Sequence, residues 1–212
     1  MGKFLNALKQ LNPRTGRIIK EDGNLYNVAD AAESADGISR VSEPLARAAR
    51  GTGFAAGTPL ISSSDHVRAL LKNPAGSGVV ALVHSFVAAH DQSGILPAQF
   101  HRNPTEGLPD TGHPLISTNI DDPNSPKSVF TADSGAAMSG GTAEVFMPVS
   151  GAAPARVVFV TPFVLRPGTS IGMSLDVGGV LTSGSVTVSL GVSETNEAEW
   201  DALKLFFENG GA

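Results

Sequence analysis

The sequence predicts an all-β protein, and three observations support this. From Arg156 to Val192, small or polar residues alternate with Val, Phe, Leu and Met over three short runs, which are interrupted at Arg166-Pro167-Gly168 and at Gly178-Gly179. This period of two is typical of strands with one buried face. The rhythm recurs downstream of about residue 58, and the 24 glycines and 14 prolines can supply the turns that many short strands need.

Pattern and composition divide the chain into three parts. We expect an extended N-terminal arm over residues 1–58, a β-sandwich body over residues 59–195, and a short C-terminal helix with a tail over residues 196–212. The hydrophobic fraction of 41% is large enough for a buried core.

Charge is unevenly divided between the arm and the remainder. Residues 1–58 hold eight Lys and Arg against six Asp and Glu, a net charge of +2, whereas the rest holds seven against fourteen, a net charge of −7. This asymmetry suits an arm that lies on an acidic partner. An excess of two positive charges without a Lys/Arg cluster does not predict nucleic-acid binding.

The chain contains no cysteine, which excludes a disulfide framework, a thiolate metal site and a Cys nucleophile. Stability must then come from burial or from oligomerisation. The start of the chain is too polar for a signal peptide, and no apolar run is long enough to cross a membrane. We therefore expect a soluble protein that folds in a reducing cytoplasm, without a membrane partner.

The arm contains two candidate anchoring elements. The spacing of the apolar residues in Lys3–Leu11 predicts a short amphipathic helix that ends at Asn12-Pro13, as either a frayed terminus or a helix docked on a partner. Asp22-Gly23 between two apolar runs predicts a hairpin, which is barely stable alone and needs a neighbouring surface. The predicted anchoring residues are Phe4, Leu5, Leu8, Ile18, Ile19, Leu25 and Tyr26.

Residues 31–57 are rich in Ala, Ser and Gly and predict a flexible linker. Within them, Pro44–Arg50 has the composition of two helical turns. The spacing in Gly51–Gly57 differs from that of a phosphate-binding loop, and no apolar strand precedes it, so nucleotide binding is not predicted.

The body reads as a succession of short strands separated by Pro- and Gly-rich turns. The predicted strands are 60–62, 67–72, 79–88, 95–102, 115–120, 128–131, 143–149, 156–165, 170–177 and 185–192. Eight or more strands with long polar connections favour a jelly-roll-like β-sandwich. An immunoglobulin-like fold is disfavoured because the chain lacks its Cys pair and a mid-chain Trp.

Four segments of the body carry a resemblance to a known module. They are ALLKNPAGSGVVALVHSFVAA, QFHRNPTEG, PFVLRPGTSIGMSLDVGG and SGSVTVSLGVSETNE. Together with the arm segment NPRTGRIIKEDGNLYNVADA, they cover about two-thirds of the chain and resemble a recurrent β-sandwich module of tailed-bacteriophage virion proteins. The resemblance implies a virion structural or decoration protein, often trimeric, with an arm that anchors it.

Candidate catalytic residues fit their motifs poorly. Ser170 lies in a G-x-S-x-G sequence, but a strand pattern follows it where a nucleophile elbow requires a helix, so we expect an ordinary turn residue. Asp110, Asp121, Asp122 and Asp133 fall in the segment 103–142, where a solvated surface is the simplest interpretation and a Ca²⁺ site or a glycosidase pair are the alternatives.

The five histidines lack the spacing of a zinc motif. His84 and His101 are predicted in strands and half-buried, His90 and His113 in loops, and His66 has no assigned role. A metal on a three-fold axis, bound by one His of each subunit, stays an alternative. The prediction is that no cofactor and no metal is bound.

The C-terminal segment 196–209 predicts a helix with acidic residues in its first turn. This helix either covers the end of its own sandwich or packs on a neighbouring subunit, because large aromatic residues anchor interfaces. The predicted subunit-interface residues are Trp200, Leu203, Phe206 and Phe207.

Together these features and the resemblance predict a non-enzymatic virion protein of the capsid decoration or cement type, made in the host cytoplasm. Its expected partners are the major capsid protein or neighbouring virion proteins, and other copies of itself, with a homotrimer favoured. The alternative is a tail-associated or receptor- or glycan-binding protein. Ten Phe, one Tyr and one Trp do not indicate an aromatic sugar-binding groove.

Overall fold

The computed structural model describes residues 11–12, 17–19, 25–27, 52–91, 94–119, 124–151, 155–181 and 184–208. The chain forms two compact units, Met1–Ala46 and Arg47–Ala212.

The first unit contains a small antiparallel sheet in the order β1-β2-β3. Its strands are β1 (Leu11–Asn12), β2 (Arg17–Ile19) and β3 (Leu25–Asn27). Ile18 is paired with Leu11 on one side and with Tyr26 on the other. The predicted hairpin is therefore confirmed at the level of strand pairing.

The predicted helix over Lys3–Leu11 is wrong at its last residue, because Leu11 belongs to β1. Pro13 disfavours helical backbone at the preceding Asn12, and this leaves Leu11 and Asn12 available for pairing with β2. Residues 3–10, with Phe4, Leu5 and Leu8, lie outside the described residues.

The second unit contains twelve strands and two helices in its described part. The strands are β4 (Gly53–Gly57), β5 (Ile61–Ser63), β6 (His66–Lys72), β7 (Val79–His90), β8 (Ile95–Arg102), β9 (Gly112–His113), β10 (Ile116–Ser117), β11 (Val129–Gly135), β12 (Thr142–Ser150), β13 (Ala155–Leu165), β14 (Ser170–Asp176) and β15 (Gly184–Asn196). The helices are α1 (Gly178–Leu181) and α2 (Glu197–Glu208).

These strands form two antiparallel sheets. Sheet 1 has the order β10-β4-β15-β7-β13, with β5 also paired to β15, and sheet 2 has the order β12-β8-β14-β6-β11-β9. In β8 the buried Leu96, Ala98 and Phe100 alternate with more exposed residues, as one-sided burial requires. Phe100 meets Phe86 of sheet 1 edge to face, with ring centroids 5.3 Å apart. The body is therefore a β-sandwich with an apolar core between its sheets.

The predicted linker is wrong for residues 53–57, which form β4 of the body. They pair with β15 from Gly53↔Ser193 to Gly57↔Ser189, and the side chain of Phe54 is only 3% exposed. Pro59 has no N–H to donate to a strand ladder. After it, β5 pairs with β15, the same strand that pairs with β4. The segment Pro44–Arg50 lies outside the described residues.

The other predicted strands of the body are all present with small changes of length. Of the strand expected over 115–120, the described residues 115–119 contain only β10, while β9 and α1 were not expected. The C-terminal helix is confirmed, and Asn196 Oδ1 caps it by accepting from the Ala198 N–H at 2.9 Å. No helix within the described ranges has the length and apolar character to span a bilayer.

Candidate functional site

Three turns meet at one end of the sandwich, which we call the motif end: residues 73–78, 103–105 and 166–169. Asn73 joins the first turn to the third. Its buried Nδ2 donates to the carbonyls of Val79 at 2.8 Å and Leu165 at 2.9 Å. Its backbone donates to the Thr169 carbonyl at 2.9 Å and accepts from the Gly168 N–H at 2.8 Å. These bonds fasten two turns that are far apart in the sequence.

Asn103 attaches the remaining turn to the same place. Its N–H donates to the Ser170 carbonyl at 2.9 Å, and its Oδ1 accepts from the Ser170 N–H at 2.8 Å. The φ of Asn103 is 48°, in the left-handed region that Asn tolerates better than most residues. These three turns thus converge, and their Asn and Gly residues hold the motif end together.

Helix α2 begins at the motif end and is tied to it by charge. The Glu197 N–H donates to the Gly78 carbonyl at 3.1 Å. Arg166 donates to Asp201 Oδ1 at 2.6 Å and lies 3.6 Å from Glu197 Oε1. The hydrogen bond and charge of Asp201 raise the pKa of Arg166 above its ordinary value.

Among the predicted interface residues of α2, Trp200 is half-buried. The side chains of Leu203, Phe206 and Phe207 lie outside those that the structure describes. On the same helix, Ala198 and Ala202 are exposed, and the side chain of Leu205 is 57% exposed. This part of α2 is therefore not covered by the body.

A shallow depression of about 370 Å³ opens at the motif end. The Arg102 guanidinium lies 5.6 Å from the centroid of the Phe163 ring, which forms part of the wall. Arg102 is two residues beyond the core residue Phe100 and so shares its side of β8. The lining residues are Arg102, Asn103, Pro162, Phe163, Val164, Leu165, Thr169, Ser170 and Ile171.

Ser170 is not placed as a nucleophile. It is the first residue of β14 rather than a turn residue, and it is paired with Lys72 of β6. None of the residues that line the depression beside it is a His, Asp or Glu. A nucleophilic Ser requires an adjacent base, and a nucleophile elbow requires a helix after the Ser, whereas strand β14 continues from Ser170 here.

Two loops, residues 104–110 and 136–141, pack on each other and lie over the outer face of sheet 2, where Met138 and Pro104 contact Gly172; we call them the covering segment. Thr105 and Glu106 donate from their backbones to the Ser139 carbonyl at 3.0 and 3.2 Å. Met138 is 3% exposed and packs directly on Gly172, where a Cβ atom would collide with its sulfur. A second depression of about 170 Å³ remains beside it, lined by His66, Pro97, Gln99, Ala137, Met138, Ser174 and Asp176.

Within the predicted carboxylate cluster, Asp110 is exposed as expected, whereas Asp133 is not part of a solvated surface. Asp133 Oδ1 accepts from Arg68 Nε at 2.7 Å, with 14% and 12% of the two side chains exposed. Asp133 Oδ2 also accepts from the Asp110 N–H at 3.0 Å. Asp133 thus fixes the covering segment to the sheet, while Asp121 and Asp122 lie outside the described residues.

Glu194 is a buried carboxylate that the sequence pattern did not predict. It is 7% exposed, and its oxygens accept from the N–H groups of Lys127 at 3.0 Å and Ser128 at 2.7 Å. It anchors the start of β11. The sequence signal for Glu194 is that this charged residue comes near the end of a strand in which the earlier inward-facing residues are apolar.

The histidines serve separate local contacts. His101 lies in β8 as predicted but is buried rather than half-buried, and this burial lowers its pKa. His84 Nε2 lies 2.9 Å from Ser193 Oγ, and His66 Nδ1 lies 2.7 Å from Asp65 Oδ1. The loop prediction is wrong for His90, the buried last residue of β7, and for His113, which belongs to β9. Within the described part of the chain, no three His, Asp or Glu residues are grouped to hold a metal ion.

No family model, curated protein or solved structure matches this chain. The functional interpretation therefore depends on the strand order, the arm and the geometry of the motif end.

Proposed function

We propose that this protein is a non-enzymatic structural component of a tailed-bacteriophage virion, of the capsid decoration or cement type. In this proposal a jelly-roll body is displayed on the particle, and the N-terminal arm anchors it to the major capsid protein or to a neighbouring virion protein.

The strand order is the observation that carries this proposal. Because β4 and β5 lie end to end along β15, we count them as the first of eight strands and continue with β6, β7, β8, β12, β13, β14 and β15. The sheets then read 1-8-3-6 and 5-4-7-2. Two Greek keys wrapped into one sandwich produce this order, which supports a jelly roll in which β9, β10 and β11 form an insertion.

The interior favours a structural role among the functions that jelly rolls serve, which include capsid proteins, lectins and cupins. Its side chains are apolar, with Phe86, Phe100 and Met173 among those fully buried. A metal enzyme would need convergent ligands, and the described residues contain no such group. A structural capsid role needs only this packed core and surfaces for partners.

The glycan-binding alternative receives less support from the motif end. A sugar usually packs on an open aromatic ring, with its polar edges hydrogen-bonded. At the depression, the guanidinium of Arg102 already lies over the Phe163 ring. We therefore retain the decoration role as the main proposal.

The small sheet of the first unit supports an anchoring role for the arm. Its strands are only two or three residues long, and a sheet of this size needs packing against another surface to be stable. The register joins Leu11, Ile18 and Tyr26 in one cross-strand row of apolar residues. The proposal assigns the required surface to the virion shell and retains a homotrimer as the assembly.

The test is co-sedimentation of the purified protein with particles that lack it. Ile18→Asp combined with Tyr26→Asp should reduce the bound fraction about tenfold or more, while the thermal unfolding of the body stays unchanged. Ile116→Asp is the matched control, since Ile116 is 66% exposed on β10 of the body. Deletion of residues 2–30 should act like the double variant. Undiminished binding by both arm variants would refute the anchoring role.

A further inference from the structure

We propose that the second depression, beside Met138, is a binding site for a primary ammonium group, presented by a lysine side chain of a neighbouring virion protein. It lies on the outer face of sheet 2, at the end opposite the motif end, where His66 of β6 is paired with Asp176 of β14. The identity of the neighbour rests on the proposed function. The ammonium chemistry does not, because it follows from the residues that line the depression.

Two hydrogen-bond acceptors of the lining lie side by side. Asp65 Oδ1 lies 2.7 Å from His66 Nδ1. Because an ionised carboxylate only accepts, this contact places a proton on Nδ1 and leaves Nε2 of the neutral ring as an acceptor. His66 Nε2 lies 3.8 Å from Asp176 Oδ1, which is too long for a hydrogen bond between them. A single ammonium nitrogen can donate to both atoms.

The charge around the depression favours a cation. Among the described residues, His66 is the only ion-pair partner of Asp65 and of Asp176. Arg68, the next outward residue of β6, is already balanced, because Asp133 Oδ1 accepts from its Nε at 2.7 Å. Two carboxylates beside a neutral imidazole leave a net negative charge at the site.

Two further polar groups line the same depression. Ser174 is 5% exposed, and its oxygen accepts from the Met138 N–H at 3.5 Å, a long contact that leaves it able to accept a second hydrogen bond. The half-buried side chain of Gln99 makes no hydrogen bond within the described part of the chain. An ammonium group has three donors and no acceptor, so it can satisfy these oxygens together with the first pair of acceptors.

The apolar part of the lining suits an alkyl stem. It consists of Pro97, Ala137 and Met138. A lysine side chain buries its methylene groups along apolar surface and keeps its ammonium group among polar partners. The volume of about 170 Å³ lies below the range of about 300–1,000 Å³ for small-molecule sites, so the depression suits a single side chain.

An arginine fits the same site less well than a lysine. A guanidinium prefers a bidentate contact with both oxygens of one carboxylate. Asp176 Oδ1 already accepts from the Gly179 N–H at 2.8 Å. The compact ammonium group needs only one oxygen of Asp176 and can reach His66 Nε2 from the same position.

The site is tested by NMR titration of the full-length protein at pH 8, where a free imidazole is neutral and an alkylamine is charged. The probe is Nα-acetyl-lysine N-methylamide, and the matched control is the same compound acetylated at Nε, which keeps the stem and removes the charge. We expect the His66 ring and Gln99 amide signals to move with the probe at millimolar concentration and to stay in place with the control. Equal shifts with both compounds, or none with either, would overturn the site.

Two variants locate the binding on the protein. Asp176→Asn keeps an acceptor for the Gly179 N–H and removes the charge, so it should weaken binding of the probe about fivefold or more. Gln99→Leu should weaken it about threefold. Glu199→Gln, which removes an exposed carboxylate on α2, is the control and should leave it unchanged. Unchanged affinity in both Asp176→Asn and Gln99→Leu would overturn the proposal.

Two further measurements separate the source of the amine from the proposed function. Tighter binding of cadaverine than of the lysine derivative would overturn the protein partner and indicate a free diamine. In particle co-sedimentation, Asp176→Asn should lower occupancy, whereas unchanged occupancy would overturn the virion neighbour. The arm variants test the anchoring separately, so a failure of this site leaves that result intact.

Discussion

The two outer faces of the sandwich differ in how they are covered. On sheet 2, the outward Ser174 is only 5% exposed, and the covering segment reaches it through Met138, whose N–H donates to Ser174 Oγ at 3.5 Å. On sheet 1, Ala55 and Gly57 of β4 stay exposed, and the outward Ser189 of β15 is only half-buried. In both sheets, inward and outward residues alternate along the strands with the same period of two. Tertiary cover, and not local pattern, therefore decides which outward residues become part of the interior.

The largest expected effect comes from the ion pair beneath the covering segment. Asp133→Ala removes the partner of the nearly buried Arg68 guanidinium and should lower the free energy of unfolding by about 3 kcal/mol. Urea denaturation measures this change. Ser189→Ala on the outer face of sheet 1 is the control and should change stability by less than about 0.5 kcal/mol.

The double variant Arg68→Ala/Asp133→Ala sharpens this first test. It removes both charges, so it should be more stable than Asp133→Ala alone. If Asp133→Ala has no greater effect than Ser189→Ala, the covering segment does not depend on this pair.

An intermediate effect is expected from a matched pair of glycine substitutions. Gly141 has a φ of 65°, and a Cβ atom there would collide with the carbonyl of Arg102. Gly141→Ala should therefore lower the free energy of unfolding by about 2 kcal/mol. Gly57→Ala should cost less than about 0.5 kcal/mol, because its Cβ would meet only Ser189 Cβ at 3.6 Å. Equal melting temperatures for the two variants would contradict the difference between the faces.

The smallest effect is a pH dependence from His101 beneath the same segment. Burial lowers its pKa from the ordinary value of 6.5, so the unfolded chain binds a proton at a higher pH than the folded protein does. Stability is then fully present above pH 6.5 and is lost as the pH falls from that value toward the lower pKa of the folded state. His101→Gln should lose less stability than the wild type between pH 7.5 and pH 5, measured by urea denaturation. An identical loss in both proteins would exclude His101 as its source.

Strand positions in the body were largely predictable, and the reason is visible in β8. Its alternation over Ile95–Arg102 places Leu96, Ala98 and Phe100 inward, and this pattern is local. The missed strand β4 shows the opposite case. Gly53–Gly57 has no strong strand propensity, and only the neighbouring β15 converts it into a strand with Phe54 buried.

At the motif end, too, the local features were predictable from the sequence and the long-range contacts were not. The sequence indicated turns at Asn73-Pro74 and Pro167-Gly168, since Pro and Gly constrain the backbone locally. It did not reveal that the Asn73 side chain binds the carbonyl of Leu165. It also did not reveal that Arg102 and Phe163, from different sheets, form one depression. Contacts between residues so far apart along the chain leave no periodic signal.

The sequence by itself determined the all-β class, the hairpin pairing of the arm, the C-terminal helix and nearly all strands of the body. These features depend on the alternation of apolar residues, on turn residues and on caps, which act over a few positions. Only the tertiary structure decided the order of strands in each sheet, the burial of Asp133 and Glu194, and the meeting of three turns at one end. Each of these depends on which distant segments pack together, and that choice is made by the whole core.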